Sequence, residues 1–300
     1  VSSIAPAAFL DPALLAGISD LSLLARTVVD GFLHGLHRSV RTGTSLDFAE
    51  HRPYQPGDDL RRIDWRVYGR TDRFYLKTYE ADTNADLLLL LDSSGSMDFA
   101  SGRLTKFDYA RYLTASLAWL AQRQGDRVGL VTVRDEMVDV VPPSARHLNL
   151  LLHTVSASTA AGEGHLPRVL EKVAQMRGRS GMVVLISDCY EEPAALCRAV
   201  GGLRSRGHDV MVFHVTDPAE RELPYGAPGT FEDAETGMRL PLKPEELRER
   251  YRAMVVEHAT ALSNGLTAAN VDYQAVGTEQ PLDGALRAFL DRRLMSTKAR

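Results

Sequence analysis

The sequence predicts an α/β fold, a mainly parallel sheet with helices on both faces. Three observations carry this. Strand-length segments rich in apolar residues recur at 87–91, 128–133, 182–186 and 210–215, and a further strand reads at 271–276. The runs at 87–91 and 182–186 are continuously apolar, as suits strands buried on both faces. Segments of helical length separate most of the runs, and parallel strands need such crossovers.

The 300 residues are 44% hydrophobic and 25% charged, an ordinary globular composition with enough chain for a sizeable core. A net charge of −4 gives no overall basic field for nucleic acid. No apolar run is long enough to span a bilayer, and the first residues do not read as a secretory leader. Cys189 and Cys197 lack metal-ligand spacing and read as reduced thiols. The expectation is a cytoplasmic protein.

In chain order, residues 1–19 are weakly patterned. Asp20 then reads as the N-cap of a helix whose stripe is Leu21, Leu24, Val28, Phe32 and Leu36. His34 and His37 share a helix face, but no carboxylate or cysteine stands at matching spacing and they read as surface groups. Residues 43–77 are the most unusual text. Pro53, Pro56 and Gly57 mark a tight loop. Asp58, Asp59, Arg61, Arg62, Asp64, Arg66 and Arg70 then alternate in sign around Trp65 and other apolar residues. Two readings stay open for them, a local salt-bridge network or a docking surface, since Arg and aromatic residues dominate interface hot spots. Residues 74–79 read as a strand.

Helices are expected at 104–124, ended by Gly125, and at 146–155, 166–176, 192–205, 244–262 and 282–294. A strand at 137–141, split from its predecessor by the Arg134-Asp135-Glu136 turn and closed by Pro142-Pro143, suggests one antiparallel edge. Residues 230–240 read as a small hairpin turning on Glu235-Thr236-Gly237, with Glu232, Asp233 and Glu235 solvated.

The chemistry concentrates at two strand ends. The first apolar run ends in Asp92-Ser93-Ser94-Gly95-Ser96, and the run at 182–186 ends in Ser187-Asp188. Ligand groups in open α/β sheets lie past the carboxyl ends of such strands. Carboxylates and hydroxyls are the hard oxygen donors that magnesium, manganese and calcium take. Gly95 is read as a turn residue that lets Asp92, Ser94 and Ser96 face one point. The competing readings are helix caps: Ser94 or Ser96 after the first strand, and Asp188 for the helix that follows Pro193.

The Asp-x-Ser-x-Ser spelling of Asp92, Ser94 and Ser96 resembles the metal-ion-dependent adhesion site of von Willebrand factor A domains. The block Ser45-Leu46-Asp47-Phe48, His51-Arg52-x-Tyr54, Gly57-Asp58-Asp59, Arg61-x-Ile63-Asp64-Trp65, Arg70 and Lys77 resembles the signature of the domain-of-unknown-function fifty-eight family. That resemblance implies an N-terminal extension over residues 1–84 and a von Willebrand A-like domain over 85–300, with a hairpin insertion at about 218–243. It implies a short soluble form, a divalent metal, most simply magnesium, and a MoxR-type AAA+ ATPase as partner in chaperone-like assembly or maturation of clients.

In the adhesion site a threonine comes from the second loop and an aspartate from the third, and Asp188 matches the latter. The second loop departs from the pattern. Gly162-Glu163-Gly164-His165-Leu166 puts Gly164 where the threonine belongs, leaving Glu163 or Thr159 as substitute ligands. No P-loop is present. The expectation is therefore a non-enzymatic, metal-dependent binding adaptor. The alternatives are a metal-dependent phosphoester hydrolase, with His165 as the nearest candidate base, and a scaffold whose metal site has degenerated.

Overall fold

The computed structural model describes residues 15, 17–18, 20–40, 51–53, 75–77, 85–176 and 178–298. Helix α1 (Leu21–Val40) opens on Asp20, whose Oδ1 accepts the N–H groups of Ser22 and Leu23 at 2.8 and 3.2 Å. Leu21, Leu24, Val28 and Phe32 are buried on its inner stripe, and Leu15 ahead of it is buried with them. The His34 ring nitrogen Nδ1 lies 2.7 Å from the Asp30 carbonyl of the same helix. Strand β1 (His51–Pro53) pairs antiparallel with β2 (Tyr75–Lys77). Asp58, Asp59, Arg61, Arg62, Asp64, Trp65, Arg66 and Arg70 lie outside the described residues.

From Asp86 the chain builds one sheet. Strand β3 (Asp86–Asp92) leads through helix α2 (Lys106–Arg123) to β4 (Arg127–Val133) and β5 (Met137–Ser144). Helices α3 (Leu148–Ala157) and α4 (Leu166–Gln175) cross back to β6 (Met182–Ser187). Helix α5 (Pro193–Ser205), β7 (Asp209–Thr216) and the short α6 (Pro218–Glu222) follow. The hairpin β8 (Gly229–Glu232) and β9 (Arg239–Leu242) precedes α7 (Pro244–Ala268), β10 (Asp272–Gly277) and α8 (Asp283–Lys298).

The strand order is β10-β7-β6-β3-β4-β5, all neighbours parallel except β4 and β5. The mainly parallel sheet with one antiparallel edge is the architecture the sequence predicts. The chain runs outward from β3 to β5, then returns to place β6 on the other side of β3. The direction of winding reverses there, so the carboxyl ends of β3 and β6 flank a crevice.

The leucine run explains why β3 is central. Leu87, Leu89 and Leu91 pack into the core beneath α1, α2, α3 and α8, while Leu90 packs into the opposite core beneath α4, α5 and α7. Side chains that alternate across a pleated strand supply both cores only if every position is apolar. Helix α2 is capped by Thr105, whose Oγ1 accepts the Asp108 N–H at 2.9 Å, and Gly125 follows its end at φ +85°.

Three element ends run beyond the sequence reading by three residues or more, those of β5, α7 and α8, the last reaching Lys298. Strand β5 continues through Pro142 and Pro143 to Ser144 because it is an edge strand, where a residue without N–H leaves no ladder bond unmade. Gly129 faces this stretch: a Cβ there would lie 2.8 Å from Pro143 Cδ. Helix α7 runs on to Ala268 because Leu262 and Leu266 continue its buried stripe.

Leu89→Ala, at a fully buried position of β3, is expected to cost about 2–5 kcal/mol of unfolding free energy in urea denaturation.

Candidate metal and partner site

The carboxyl ends of β3 and β6 floor an open crevice of about 520 Å³, lined among others by Asp92, Ser94, Ser96, Gly164, Asp188, Glu220 and Glu235. Asp92 is buried at the end of β3. Its Oδ1 accepts the Ser94 N–H at 2.9 Å, and its Oδ2 accepts the Ser187 hydroxyl at 2.6 Å. The second bond ties the end of β3 to the end of β6. Burial, then the neighbouring Asp188 charge, pushes the Asp92 carboxyl up to about 7. An added cation in the crevice favours its ionised form.

A single 3-10 turn (Gly95–Asp98) follows, with Ser94 at its N-cap position. The Ser94 side chain makes no capping bond there, and its Oγ lies 3.1 Å from Ser96 Oγ. Helix α5 is capped by Glu192, whose carboxylate accepts from Ala194 and Ala195 at 3.0 and 2.7 Å. Ser94 and Asp188 are thus free of the capping duties that competed with a ligand role.

The second loop lies close against the first. The Gly95 N–H donates to the Gly162 carbonyl at 2.7 Å, and the Ala161 N–H donates to the Ser93 carbonyl at 3.0 Å. Arg134 clamps both, donating from Nε to the Ser93 carbonyl at 3.1 Å and from Nη2 to the Thr159 carbonyl at 2.5 Å. A Cβ added at Gly164 would meet Ser94 Cβ at 2.9 Å. Glycine at the threonine position therefore lets the loops close on each other. Thr159 is held against Arg134 and Glu163 is exposed, and the crevice lining includes neither.

Three features were not read from the sequence. Gly95 is not a left-handed turn residue. The described glycines with positive φ are Gly125, Gly162, Gly207 and Gly237. Gly95 matters for close approach, since a Cβ there would lie 2.6 Å from the Ala234 carbonyl oxygen. Glu235 is half-buried rather than simply solvated, and it accepts the Gly164 N–H at 3.1 Å. Lys106, in the first turn of α2, is fully buried with Nζ 2.7 Å from both Asp188 Oδ2 and Glu220 Oε1. It also lies 4.5 Å from the centre of the Tyr190 ring. Burial alone favours the neutral amine, but Asp188 and Glu220 outweigh it and raise its pKa. One sequence signal marked Lys106: a cation in the first turn opposes the helix dipole and needs another reason to be there.

The third loop is shaped by Cys189, a buried residue in the left-handed region at φ 54°. Its N–H donates to Ser187 Oγ at 2.9 Å, and its carbonyl oxygen lies 2.9 Å from His258 Nε2. Its thiol pKa is raised by burial, then by Asp188. His165, read as a candidate base, is half exposed with Nδ1 3.5 Å from Asp135 Oδ1, and is not part of the crevice lining.

The donors fit a hard divalent cation. The carboxylates of Asp92 and Asp188 and the hydroxyls of Ser94 and Ser96 offer oxygen alone. Among the described residues no three His, Cys, Asp or Glu side chains form a metal-holding group by themselves, so the fit depends on the serines.

The fold is von Willebrand A-like. The chain is similar in structure to BatB from Bacteroides thetaiotaomicron, with a TM-score of 0.51 at 14% identity, covering 72% of this chain and 100% of that one. An aerotolerance-related membrane protein from Bacteroides fragilis (TM-score 0.49, 16% identity) is covered over 96% of its length and 68% of this chain. The SpRpn10 VWA domain (TM-score 0.41, 12% identity) is covered over 93% of its length and 67% of this chain. The family described as protein of unknown function DUF58 matches over residues 50–261, and the chain belongs to it. The uncharacterized protein Rv1480 of Mycobacterium tuberculosis is 32% identical over 233 residues, 76% of this chain and 73% of that protein. Among the described residues no helix is long and apolar enough to cross a membrane.

Lys106→Met leaves Asp188 and Glu220 without their cation and is expected to destabilise the fold by about 3–5 kcal/mol in urea unfolding.

His214, buried on β7, gives a pH test. Burial lowers its pKa from 6.5 to about 4 against the raising effect of Asp188, with His258 and Lys106 lowering it further. Its Nδ1 lies 2.6 Å from the Tyr273 hydroxyl. The unfolded chain takes up this proton near pH 6.5 and the folded chain only near 4. Stability from neutral His214 is therefore present above pH 6.5 and falls by about 3 kcal/mol as pH drops to 4. Asp92 acts in the opposite sense over much of this window, so the difference between wild type and His214→Gln isolates the histidine. Urea midpoints from pH 7 to 4 are expected to fall less steeply in the variant.

Proposed function

We propose that this chain is a non-enzymatic binding adaptor whose crevice holds a divalent metal, most simply magnesium, and through it grips an acidic residue of a protein partner. The observation that carries the reading is the meeting of two strand-end carboxylates, Asp92 and Asp188, with the Ser94–Ser96 hydroxyl pair in one open crevice. Asp92, Ser94 and Ser96 would hold the metal from the first loop, and Asp188 from the third. When bound, the metal supplies an electrophilic centre that attracts a carboxylate. The residues of this chain provide the rest: the Ser187 bond fixes Asp92, the Arg134 clamp fixes the first two loops, and Lys106 orients Asp188.

The family resemblance supports naming a MoxR-type AAA+ ATPase as the partner and chaperone-like assembly as the setting. In that picture the ATPase supplies the energy and this chain supplies recognition.

A second reading is a scaffold without metal. It is favoured by the Lys106 ammonium, a resident cation already on Asp188.

Thermal unfolding with magnesium, manganese or EDTA separates the two. Metal at ~100 times its dissociation constant stabilises by about 2.7 kcal/mol. The adaptor reading expects an upward shift of several degrees for wild type, absent in Asp92→Ala, together with capture of the ATPase in magnesium but not in EDTA. Equal unfolding curves in metal and EDTA would leave the scaffold.

A further inference from the structure

We propose that Glu235, carried on the β8–β9 hairpin, completes the cation site in place of the side chain that Gly164 lacks. The inference rests on the metal-binding reading above and adds a ligand from outside the three loops that the resemblance names.

The hairpin is seated on both loops of the site. The Ala234 carbonyl oxygen lies where a Cβ of Gly95 would be, 2.6 Å from that position, so the hairpin tip rests directly on the first loop. The Glu235 carboxylate reaches the second loop. Its Oε2 accepts the Gly164 N–H at 3.1 Å, and its Oε1 lies 3.7 Å from where a Gly164 Cβ would stand. A carboxylate from the hairpin thus occupies the space into which a second-loop side chain would project. The tip itself is braced, because Asp233 Oδ1 accepts the N–H groups of Glu235 and Thr236, each at 2.9 Å.

Charge argues in the same direction. Asp92, Asp188, Glu220 and Glu235 line one crevice, and Lys106 is engaged by Asp188 and Glu220. Glu235 makes no ion pair among the described residues, whereas Glu232 on the same hairpin is paired with Arg239 at 2.8 Å. A cation held by Asp92 and Asp188 would be attracted to this unpaired carboxylate, which lines the same crevice. The cation and the hairpin then stabilise each other, and each binds more firmly when the other is in place.

The test is calorimetric titration of Mn²⁺ into wild type, Asp92→Ala, Glu235→Gln and Glu232→Gln, with hydrogen exchange followed over residues 229–242. Glu235→Gln is expected to weaken Mn²⁺ binding by at least about tenfold, and Glu232→Gln to leave it within about twofold. Mn²⁺ is expected to slow exchange in the hairpin of wild type but not of Glu235→Gln. Metal-free unfolding midpoints matching wild type show that the Glu235 variant is folded. Undiminished affinity in Glu235→Gln, with binding lost in Asp92→Ala, overturns this inference and leaves the metal-binding reading standing. No binding in wild type overturns both.

Discussion

The structure depends on negative charge that the fold itself forces together. Central placement of β3 requires an apolar run, and the return of the chain to β6 requires a second one beside it. Each run ends in an aspartate, and the reversal of winding sets Asp92 and Asp188 in one crevice. Buried carboxylates need a partner or a proton. Asp188 has Lys106, while Asp92 has two hydrogen bonds and a carboxyl raised to about 7. Asp217, at the end of β7, shows the other outcome. It is equally buried, but it accepts from Ser101, the Ala219 N–H and Thr278. Asp217 is consumed by structure, whereas Asp92 and Asp188 line the open crevice.

Close approach shapes the rest of the site. Gly95 and Gly164 carry no side chains at the two points where the loops and the hairpin meet, and a single methyl group at either would collide with its neighbour. Packing of this tightness holds hydroxyls and carboxylates in fixed directions, which a binding site needs more than it needs flexibility. The Arg134 fork serves the same end by holding the Ser93 and Thr159 carbonyls together.

Much of this was legible in the sequence. Apolar run length and spacing gave the strands, Asp20 and Gly125 marked helix ends, and the strand-end positions of Asp92, Ser94, Ser96 and Asp188 brought them to one crevice. These are local signals that tertiary structure only assembles. What escaped depends on partners distant in the chain. Lys106 looks like an ordinary first-turn residue until Asp188 and Glu220 are placed around it, 82 and 114 residues away. Thr159 and Glu163 were plausible by nearness in sequence, but Thr159 is held on Arg134, Glu163 is exposed, and neither lines the crevice. The prolines of β5 read as a stop because nothing local says that the strand is an edge.

The segment between β7 and α7 then has a physical reason to sit where it does. Its first turn supplies Glu220, which shares the Lys106 ammonium with Asp188, and its hairpin supplies Glu235, which reaches Gly164. One segment therefore meets two features of the crevice, the buried lysine and the side-chain-free Gly164. Its carboxylates also bear on recognition. Each added negative ligand lowers the pull of a bound cation on an incoming acidic residue. On the proposed metal-binding reading, a hairpin that strengthened the hold on the cation would soften the grip on a partner. A softened grip would suit the proposed adaptor, which must release what it binds.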